Sequence, residues 1–382
     1  MKKSEALQIL SQIISPTYNQ TNNLQSIISS LTKNDWQKII SIANRYHITP
    51  SIYPKLKEKN LLKSIIDDKQ LLRYIQEMYN LNSLRNKNIL KQVSEICELL
   101  YMELAIEVVL LKGVSALSEA HYKDIGERVM LDIDILVPEE NIFEAIDILK
   151  QNGYSEIEPK ELEIEWHHYN RLYHPDKMAS IEIHRYPLGE NSPFPRILTK
   201  EHLIKSKSIK NSYVLNPTYE ILHSFLHTQL SHGYHKKYLI SLRHLQHFST
   251  MITLYNQKID YKIIDKFMKK NNLNTIWNEY IYMIDELFSI EDKTLISYAK
   301  NNQKYIYKVY YFLNNSIKLR FFIIKSIIKK MFSHKNLNKH YNIKSGVPIF
   351  VYIPIHLILS IKKFLFNTKV RNNIKKMITN LY

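Results

Sequence analysis

The chain has 382 residues, of which 45% are apolar and 23% charged, so it can form one large or about two to three ordinary globular domains. Its single cysteine, Cys97, excludes an intrachain disulfide and a metal site made of cysteines, and its apolar neighbours predict a buried helical thiol. The formal charge is +17, yet residues 301–382 contain sixteen lysines and arginines and no acidic residue, so nearly all of the excess lies in this basic arm.

The first hundred residues are predicted to be helical. Apolar side chains recur at helical spacing over 4–14, and Asn34 or Asp35 is the expected N-cap of a helix over 36–46. A long helical stretch follows over about 67–103. These segments predict an N-terminal region built from helices.

The pattern changes near residue 105, where strands begin. A β-branched run over 106–111 predicts a buried strand, closed by a Lys-Gly turn and followed by a helix over 115–122. Residues 129–137 predict a second strand. An amphipathic helix is then expected to end at Gly153, a glycine in the C-cap position.

The chain returns to helices after a hairpin. Residues 166–173 and 179–186 are predicted to form two antiparallel strands, and the chain after Pro187 is expected to be helical, with amphipathic helices over 218–232 and 240–254. Together the elements predict an α+β fold with a small mixed sheet near the middle. The predicted regions are an N-terminal helical region 1–100, a core 101–190, a helical substrate-side region 191–300 and the basic C-terminal arm 301–382.

Two aspartates interrupt the second strand on one face. Strand side chains alternate, so Asp132 and Asp134 are expected to lie side by side, while the apolar residues that point into the core are Leu131, Ile133 and Ile135. Adjacent carboxylates repel each other unless a cation lies between them, and oxygen ligands suit Mg²⁺ or Mn²⁺. The alternative is an edge strand with a solvated acidic face.

The hairpin repeats this pattern. In its second strand Glu182 and His184 share one face, and Ile181 and Ile183 share the other. A third carboxylate on a neighbouring strand would complete a site for two metal ions, which activate an attacking hydroxyl and stabilise a leaving pyrophosphate. His184 is the histidine best placed for a role at such a site, and His168 is the next.

A strand-to-helix corner supplies a second candidate feature. Gly113 follows the first strand and precedes a helix, an arrangement that points backbone N–H groups at an anion, and Ser115 adds a hydroxyl. Glycines are common at such corners, so this pattern alone has low specificity.

The order of these motifs resembles the signature of the polymerase-β nucleotidyltransferase superfamily. It is still more similar to a bacterial group labelled nucleotidyltransferase family protein, over about residues 35–255 and more loosely at 331–341. The matching pieces are Asp35-Trp36, the segment 43–47, Leu111-Lys112-Gly113, the run 128–137, Gly153-Tyr154, His167-His168 and Glu182-Ile183-His184. Two positions depart from the pattern, because Leu131 is larger than the residue common there and Gln246 stands where an acid is frequent.

The resemblance implies a polymerase-β-type core that holds an NTP and attaches NMP to an acceptor, with Mg²⁺ or Mn²⁺ bound and pyrophosphate released. The catalytic and metal-binding residues that it implies are Asp132, Asp134 and Glu182. The residues implied to bind the nucleotide phosphates or offset their charge are Lys112, Gly113, Ser115 and Arg128. His184 is counted with them among the predicted nucleotide-binding residues.

Two further features have open interpretations. His223 and His227 are four residues apart, as in paired metal ligands, but without a His-Glu-x-x-His motif a cleft-lining role is favoured over zinc. The basic arm is either the solvated face of helices packed on the body, an interfacial membrane contact through the apolar stretch 347–361, or an RNA-binding surface of lysines and tyrosines.

The sequence therefore predicts a metal-dependent nucleotidyltransferase whose partners are an NTP and an unidentified small-molecule, glycan or lipid-linked acceptor. Two alternatives stay open. One is toxin-like transfer to tRNA, another RNA or a protein, and the other is a nucleotide-binding, membrane-associated module without turnover. No signal peptide or bilayer-spanning stretch is visible, so a cytoplasmic location is expected, with or without peripheral contact of the arm with an anionic membrane.

Overall fold

The computed structural model describes residues 1–17, 21–65, 68–157, 166–189, 192–299 and 303–331. These residues form one seven-stranded mixed sheet, with helices before and after it in the chain. The predicted α+β fold with helical flanks is therefore confirmed. The chain divides into two compact units, residues 1–306 and residues 307–382.

Five α-helices precede the sheet among the residues that the structure describes. They are α1 (Lys3–Ile14), α2 (Thr21–Ser30), α3 (Lys33–Arg45), α4 (Thr49–Glu58) and α5 (Lys69–Leu104). Thr32 caps α3, because its hydroxyl accepts a hydrogen bond from the Asp35 backbone N–H while the Asp35 carboxylate accepts one from the Thr32 N–H. The predicted cap at Asn34 or Asp35 is therefore wrong: Asp35 is the second partner of a capping box and not the cap itself.

Helix α5 connects the N-terminal helices to the sheet. Its Val93 and Leu100 belong to the same buried apolar cluster as Ile133 of the sheet. Beside them, Gln92 donates from Nε2 to the Ala179 carbonyl at 2.8 Å and accepts from the Ala179 N–H at 3.1 Å. Apolar burial and satisfied backbone groups therefore fix the start of the hairpin's second strand against α5.

Cys97 lies on the buried side of α5 and is 1% exposed. Burial raises the pKa of its thiol to about 12. The prediction of a buried helical thiol is confirmed. Because the thiolate is the reactive form, this cysteine is not a nucleophile in the folded chain.

The sheet is assembled from seven short strands. They are β1 (Val108–Leu111), β2 (Asp132–Leu136), β3 (Ser155–Glu156), β4 (Leu172–Tyr173), β5 (Ser180–His184), β6 (Leu203–Lys205) and β7 (Ser212–Leu215), in the spatial order β3-β4-β5-β2-β1-β7-β6. β1 is antiparallel to β2 and parallel to β7, and β2 is parallel to β5. The predicted hairpin is present, with Leu172 paired to Ile181.

Two sequence expectations about the strands are wrong. β2 begins at Asp132, and Leu131 is 49% exposed, because it precedes the strand and does not follow its alternation. The chain after Pro187 is not all helical, since β6 and β7 extend the sheet and Val214 joins its core. Strands of three and four residues are too short for their alternation to be recognised.

Helices also follow β1, β2 and β7. They are α6 (Lys112–Ser118), α7 (Ile142–Gln151), α8 (Pro217–Leu226), α9 (Tyr234–Lys237), α10 (Leu242–Tyr255), α11 (Tyr261–Lys270), α12 (Asn274–Phe288), α13 (Lys293–Ala299), α14 (Gln303–Asn314) and α15 (Ser316–Met331). A π turn, His227–Ser231, continues directly from α8. The helix predicted over 218–232 is therefore present but widens in its last turn.

An aromatic cluster joins α8, α10 and α12. Phe225, Phe248, Trp277 and Tyr280 are each at most 1% exposed. The ring centroids of Phe248 and Tyr280 lie 5.1 Å apart, and those of Phe225 and Trp277 lie 5.0 Å apart, both edge to face. Buried aromatic pairs of this geometry hold the three helices in fixed positions.

Two asparagines of α5 hold the loop between α6 and β2. Asn82 Nδ2 donates to the carbonyl oxygens of Gly126 and Arg128, at 2.8 and 3.0 Å. Asn86 Nδ2 donates to those of Ile125 and Arg128, at 2.6 and 2.7 Å. Both asparagines are buried. They satisfy carbonyl groups that would otherwise be buried without a donor, and they fix the backbone of Arg128.

We expect Gly126→Ala to lower the free energy of unfolding by about 1–3 kcal/mol, because it overpacks this loop. An added Cβ would lie 2.5 Å from Cε2 of Tyr79, and the Tyr79 hydroxyl donates to Asp124 at 2.6 Å, so the ring cannot move aside freely. Chemical denaturation measures the change. Gly189→Ala is the matched control, since its Cβ would only contact the His167 ring, at 3.8 Å or more. Equal losses in both variants would contradict the packing argument.

The second compact unit is described over residues 307–331, the end of α14 and all of α15. Within it the rings of Phe312 and Phe322 lie 5.1 Å apart, while Phe321 is 69% exposed. The apolar stretch 347–361 and most of the segment 331–341 lie outside the described residues. In the part of the chain that the structure describes, none of the helices has the length and apolar character that crossing a membrane requires.

Candidate active site

Three acidic side chains meet on one face of the sheet, where β2 and β5 run side by side. The parallel register pairs Asp132 with Ser180 and Asp134 with Glu182. Alternate residues of a strand share a face, so Asp132 and Asp134 project to the same side as Glu182 and His184. The structure thus brings these four predicted site residues together.

Asp134 lies at the centre of the group and is 2% exposed. Its Oδ1 accepts hydrogen bonds from Nζ of Lys112 at 2.6 Å and from Nε2 of His184 at 2.9 Å. Burial would raise the pKa of Asp134, but the Lys112 charge and the His184 hydrogen bond outweigh it and hold the pKa below its usual range. Burial lowers the pKa of His184, so its ring is neutral and carries the proton on Nε2, facing the carboxylate.

Lys112 reaches Asp134 from the corner between β1 and α6. Leu111 pairs with Asp134 across the two strands, so the next residue emerges beside the acid. The backbone of Lys112 has a φ of +56°, in the left-handed region that residues with a side chain seldom adopt. Such conformations persist where the surrounding structure holds them, and they concentrate at functional sites.

Arg171 joins the other two acids. Its Nη2 lies 3.0 Å from Oδ2 of Asp132, and its Nε lies 3.2 Å from Oε1 of Glu182. The pairing of Leu172 with Ile181 places Arg171 directly opposite Glu182 in the hairpin. The guanidinium supplies the positive charge that two neighbouring carboxylates need.

A bulge before β4 turns a histidine toward the same face. His168 pairs with His184, and Leu172 pairs with Ile181. The first members of these pairs are four residues apart and their partners only three, so the first strand accommodates one extra residue. His168 and Arg171 therefore project to the same side in spite of their odd spacing. The ring centroids of His168 and His184 lie 5.6 Å apart.

Asp132 differs from Asp134 in its ionisation. Burial and the charges of Asp134 and Glu182 raise the pKa of Asp132 to about 6, against the opposing effect of Lys112 and Arg171. The ionised form of Asp132 is thus destabilised by its acidic neighbours. An added cation would relieve this repulsion.

The helices after the sheet place a row of histidines near Lys112. The rings of His223 and His227 stack at 6.0 Å, and His227 in the π turn lies 4.4 Å from His232 and 5.7 Å from His244. Burial, with a further contribution from the Lys112 charge, lowers the pKa of His223 to about 4. The same two causes lower the pKa of His227 and His232. The row therefore lines the Lys112 side of the site with neutral imidazoles.

Two arginines contact each other at the loop that leads into β2. Arg128 is 4% exposed and donates from Nη1 to the Arg243 carbonyl oxygen at 3.0 Å, while Arg243 donates from Nη1 to the Val129 carbonyl oxygen at 3.4 Å. Burial and the charge of Arg128 lower the pKa of Arg243 to about 10, and Asp132 opposes this shift. Neither arginine forms an ion pair with any residue that the structure describes.

The segment that holds this site matches a known protein family. The family is described as an uncharacterised nucleotidyltransferase, and the match covers residues 32–289, more than half of the chain. This chain belongs to that nucleotidyltransferase family. The prediction of the family is confirmed, and membership supports a transferase that moves nucleotidyl groups. No curated protein and no solved structure matches the chain.

The nucleotidyltransferase site fits a divalent metal. One ligand atom each from Asp134, Glu182 and His184 lie within 4.8 Å of one another. Carboxylate oxygens suit Mg²⁺ or Mn²⁺, the metals expected in this family, and the imidazole adds affinity for transition metals. Asp132 is linked to this group through Arg171. The predicted metal set of Asp132, Asp134 and Glu182 stays a prediction, and His184 is a further candidate ligand in the tautomer that carries its proton on Nδ1.

The corner predicted to bind phosphate has packing constraints of its own. A Cβ on Gly113 would lie 3.0 Å from Cγ of Met130, so contact with Met130 is sufficient reason for a glycine here. Ser115 is 1% exposed, and its hydroxyl is buried without a hydrogen-bond partner among the described residues. Roles for Gly113 and Ser115 at the nucleotide stay predictions.

We expect Arg171→Gln to tighten Mn²⁺ binding by the nucleotidyltransferase about two- to fivefold, the size of an exposed ion pair. The Arg171 side chain is 46% exposed and neutralises Asp132 and Glu182, so its removal leaves repulsion that a metal would relieve. Titration followed by electron paramagnetic resonance measures free Mn²⁺. Arg73→Gln removes a cation that is 81% exposed and is the matched control. Weaker binding by Arg171→Gln would show that Arg171 instead organises the acids.

Arg171 and Arg243 are absent from the sequence prediction. The alternation of the hairpin could have indicated Arg171, because it places that residue on the face of Glu182. Arg243 lies more than a hundred residues after Val129, and only the folded chain shows that the two are in contact.

Proposed function

We propose that this chain transfers NMP from an NTP to an acceptor hydroxyl and releases pyrophosphate. The observation that carries the proposal is the meeting of Asp132, Asp134 and Glu182 on two adjacent parallel strands, with Lys112 bound to Asp134. A surface used only for docking would gain nothing from three acids that repel one another. Family membership supports the same conclusion.

The acids would hold Mg²⁺ or Mn²⁺, which when bound offsets phosphate charge and acidifies an attacking hydroxyl. Asp134 stays ionised through its two donors and is the anchor of this set. Glu182 would complete the set and help to take the proton from the acceptor hydroxyl. Asp132 would be a metal ligand, with Arg171 holding it beside Glu182.

Lys112 is the residue best placed to bind the nucleotide phosphates. Its side chain is 20% exposed and its ammonium group already lies at the acids. A charge-assisted hydrogen bond from this group would stabilise phosphate oxygens as the leaving pyrophosphate gains charge. Gly113 and Ser115 would bind the phosphates from the adjoining corner, and His184 would bind them from its position beside Asp134.

Label transfer from each α-³²P-labelled NTP into a cell extract, with Mg²⁺ or Mn²⁺, tests the proposal. After the reaction the extract is separated into RNA, lipid, protein and small-molecule fractions, and Asp134→Ala is run in parallel. Label that appears in one fraction and is lost with the variant would establish the transfer and identify the acceptor class. Nucleotide binding without label above the variant's background would favour a module without turnover.

The basic arm favours RNA as the second candidate acceptor. Residues 301–382 carry sixteen lysines and arginines and no acid. If RNA is the acceptor, labelling of the RNA fraction should fall steeply with salt, with a log–log slope of about 0.7–0.9 for each phosphate contact. A small-molecule, glycan or lipid-linked acceptor should show a much weaker dependence.

A further inference from the structure

We infer that the histidine row and Tyr234 form the subsite for the base of the NTP, so that the nucleobase binds against aromatic rings while Lys112 holds the phosphates. The inference rests on the proposed nucleotidyl transfer and adds the part of the substrate that Lys112 does not hold. The members of the histidine row are His223, His227, His232 and His244. The ring of Tyr234 continues the row, 5.7 Å from that of His232.

The start of the histidine row is tied to the strand that carries His184. Nε2 of His223 donates to the Pro187 carbonyl oxygen at 3.1 Å, and Pro187 comes shortly after His184 in the chain. The rings of His223 and His227 are stacked within 6° of parallel. The row therefore starts near the end of β5, where His184 donates to Asp134.

The other end of the row is tied to the corner that is proposed to bind the phosphates. Arg243 precedes His244 on α10 and donates from Nη1 to a backbone carbonyl oxygen of the loop before β2, at 3.4 Å. In the same loop the side chain of Met130 lies against Gly113, since an added Cβ would be 3.0 Å from its Cγ. The charge of Lys112 also acts on three of the four histidines, which agrees with this placement.

A π turn brings two of the rings together. The His232 N–H donates to the His227 carbonyl oxygen at 3.0 Å and closes the turn His227–Ser231. In a regular α-helix, residues five apart would point about 140° away from each other around the axis. The wider turn instead places the two ring centroids 4.4 Å apart, edge to face. Turns of this kind are rare and are often found at functional sites.

The histidine row fits neither a metal ion nor a phosphate. Among the described residues, no three of its rings bring nitrogen atoms within the 4.8 Å that sharing a metal ion would require. Burial lowers the pKa of His223 to about 4, and it is also the main cause that lowers the pKa of the other three histidines. At neutral pH the row therefore offers a phosphate no positive charge.

A nucleobase matches the groups that the row leaves open. His232 is exposed, and His227 and Tyr234 are half-buried, so a ligand can reach these rings. The ring nitrogens of His227 and His232 have no hydrogen-bond partner in the part of the chain that the structure describes. Each neutral imidazole has one N–H donor and one acceptor nitrogen. A base is a planar aromatic ring that stacks on such side chains, and its edge carries donors and acceptors.

Binding to the full chain of a nucleotide and of inorganic tripolyphosphate tests the inference without any turnover. Isothermal titration calorimetry with Mg²⁺ first identifies which common α,β-methylene nucleoside triphosphate binds most tightly. We expect His232→Ala to weaken binding of that analogue about fivefold or more, because a stacking surface is lost. Binding of tripolyphosphate, which has no base, should stay within a factor of about two. His232→Phe keeps an aromatic face and should retain most of the affinity for the nucleotide.

Tyr101→Ala is the matched control, since it removes a ring that is 44% exposed on α5 and should leave both affinities unchanged. Circular dichroism verifies that each variant is folded, and Tyr234→Ala serves if His232→Ala is not. Nucleotide binding by His232→Ala as tight as by Tyr101→Ala would overturn the inference. So would an equal loss of nucleotide and tripolyphosphate, because the row would then support the phosphate site. If the unmodified chain bound no nucleotide, the proposed function would fail as well, whereas the other two results concern only the base subsite.

Discussion

Replacing Asp134 with asparagine should lower nucleotidyl transfer by about a thousandfold. Asparagine keeps the size of the side chain but removes the charge that Lys112 and His184 hold at 2.6 and 2.9 Å. Under the proposed function a bound metal would lose its anchoring ligand, and Lys112 would lose its ion pair. Label transfer under single-turnover conditions measures the effect on the reaction itself.

Asp147→Asn is the matched control for this prediction. Asp147 is an exposed acid of α7, so the substitution changes the net charge equally without altering the site. We expect its rate to stay within a factor of about two. If Asp134→Asn transferred label as fast as Asp147→Asn, the acids on β2 and β5 would not be the catalytic group.

Truncating Phe248 to alanine should lower the free energy of unfolding by about 3–5 kcal/mol. Phe248 is fully buried, and its ring lies 5.1 Å from that of Tyr280 and 5.8 Å from that of Trp277. The cavity would weaken the packing of α10 on α12. Arg243 belongs to α10, so its position would be less well fixed. Urea denaturation followed by tryptophan fluorescence measures the loss.

Phe143→Ala provides the comparison for this second prediction. Phe143 is 59% exposed on α7, so the same truncation there should change the stability by no more than about 0.5 kcal/mol. A similar loss in both variants would mean that the aromatic cluster of α8, α10 and α12 does not stabilise the fold.

The acids could be predicted from the sequence because their pattern is local. Asp132 and Asp134 alternate with apolar residues within one strand, and Glu182 with His184 does so within another. The alternation of acidic and apolar residues shows which side chains share a face of each strand. Only the pairing of the strands shows that the two acidic faces are neighbours. The helices of the N-terminal region were predictable for the same reason, since their apolar spacing is repeated over many residues.

What could not be predicted depends on partners that are distant in sequence. Asn82 and Asn86 look like ordinary polar residues of a long helix until the loop that they bind is seen at residues 125–128. Arg243 reaches this part of the site only because α10 folds back against the loop that precedes β2. Leu131 is not a core residue, because β2 and its alternation begin only at the next residue.

The strand order also determines how long β1 stays unpaired on one edge during synthesis, when the nascent chain can associate with other chains. β1 is four consecutive apolar residues, and one of its two edges is paired by β7, with Val108 opposite Ser212. At about 5–20 residues per second, a ribosome takes several seconds to make the intervening chain. During that time the edge of β1 that will pair with β7 has unpaired backbone N–H and C=O groups, and its side chains are apolar. Another chain can pair with such an edge. The acid-bearing strands are complete at His184, yet a fragment that stops there should self-associate, whereas one that extends past Leu215 has both edges of β1 covered.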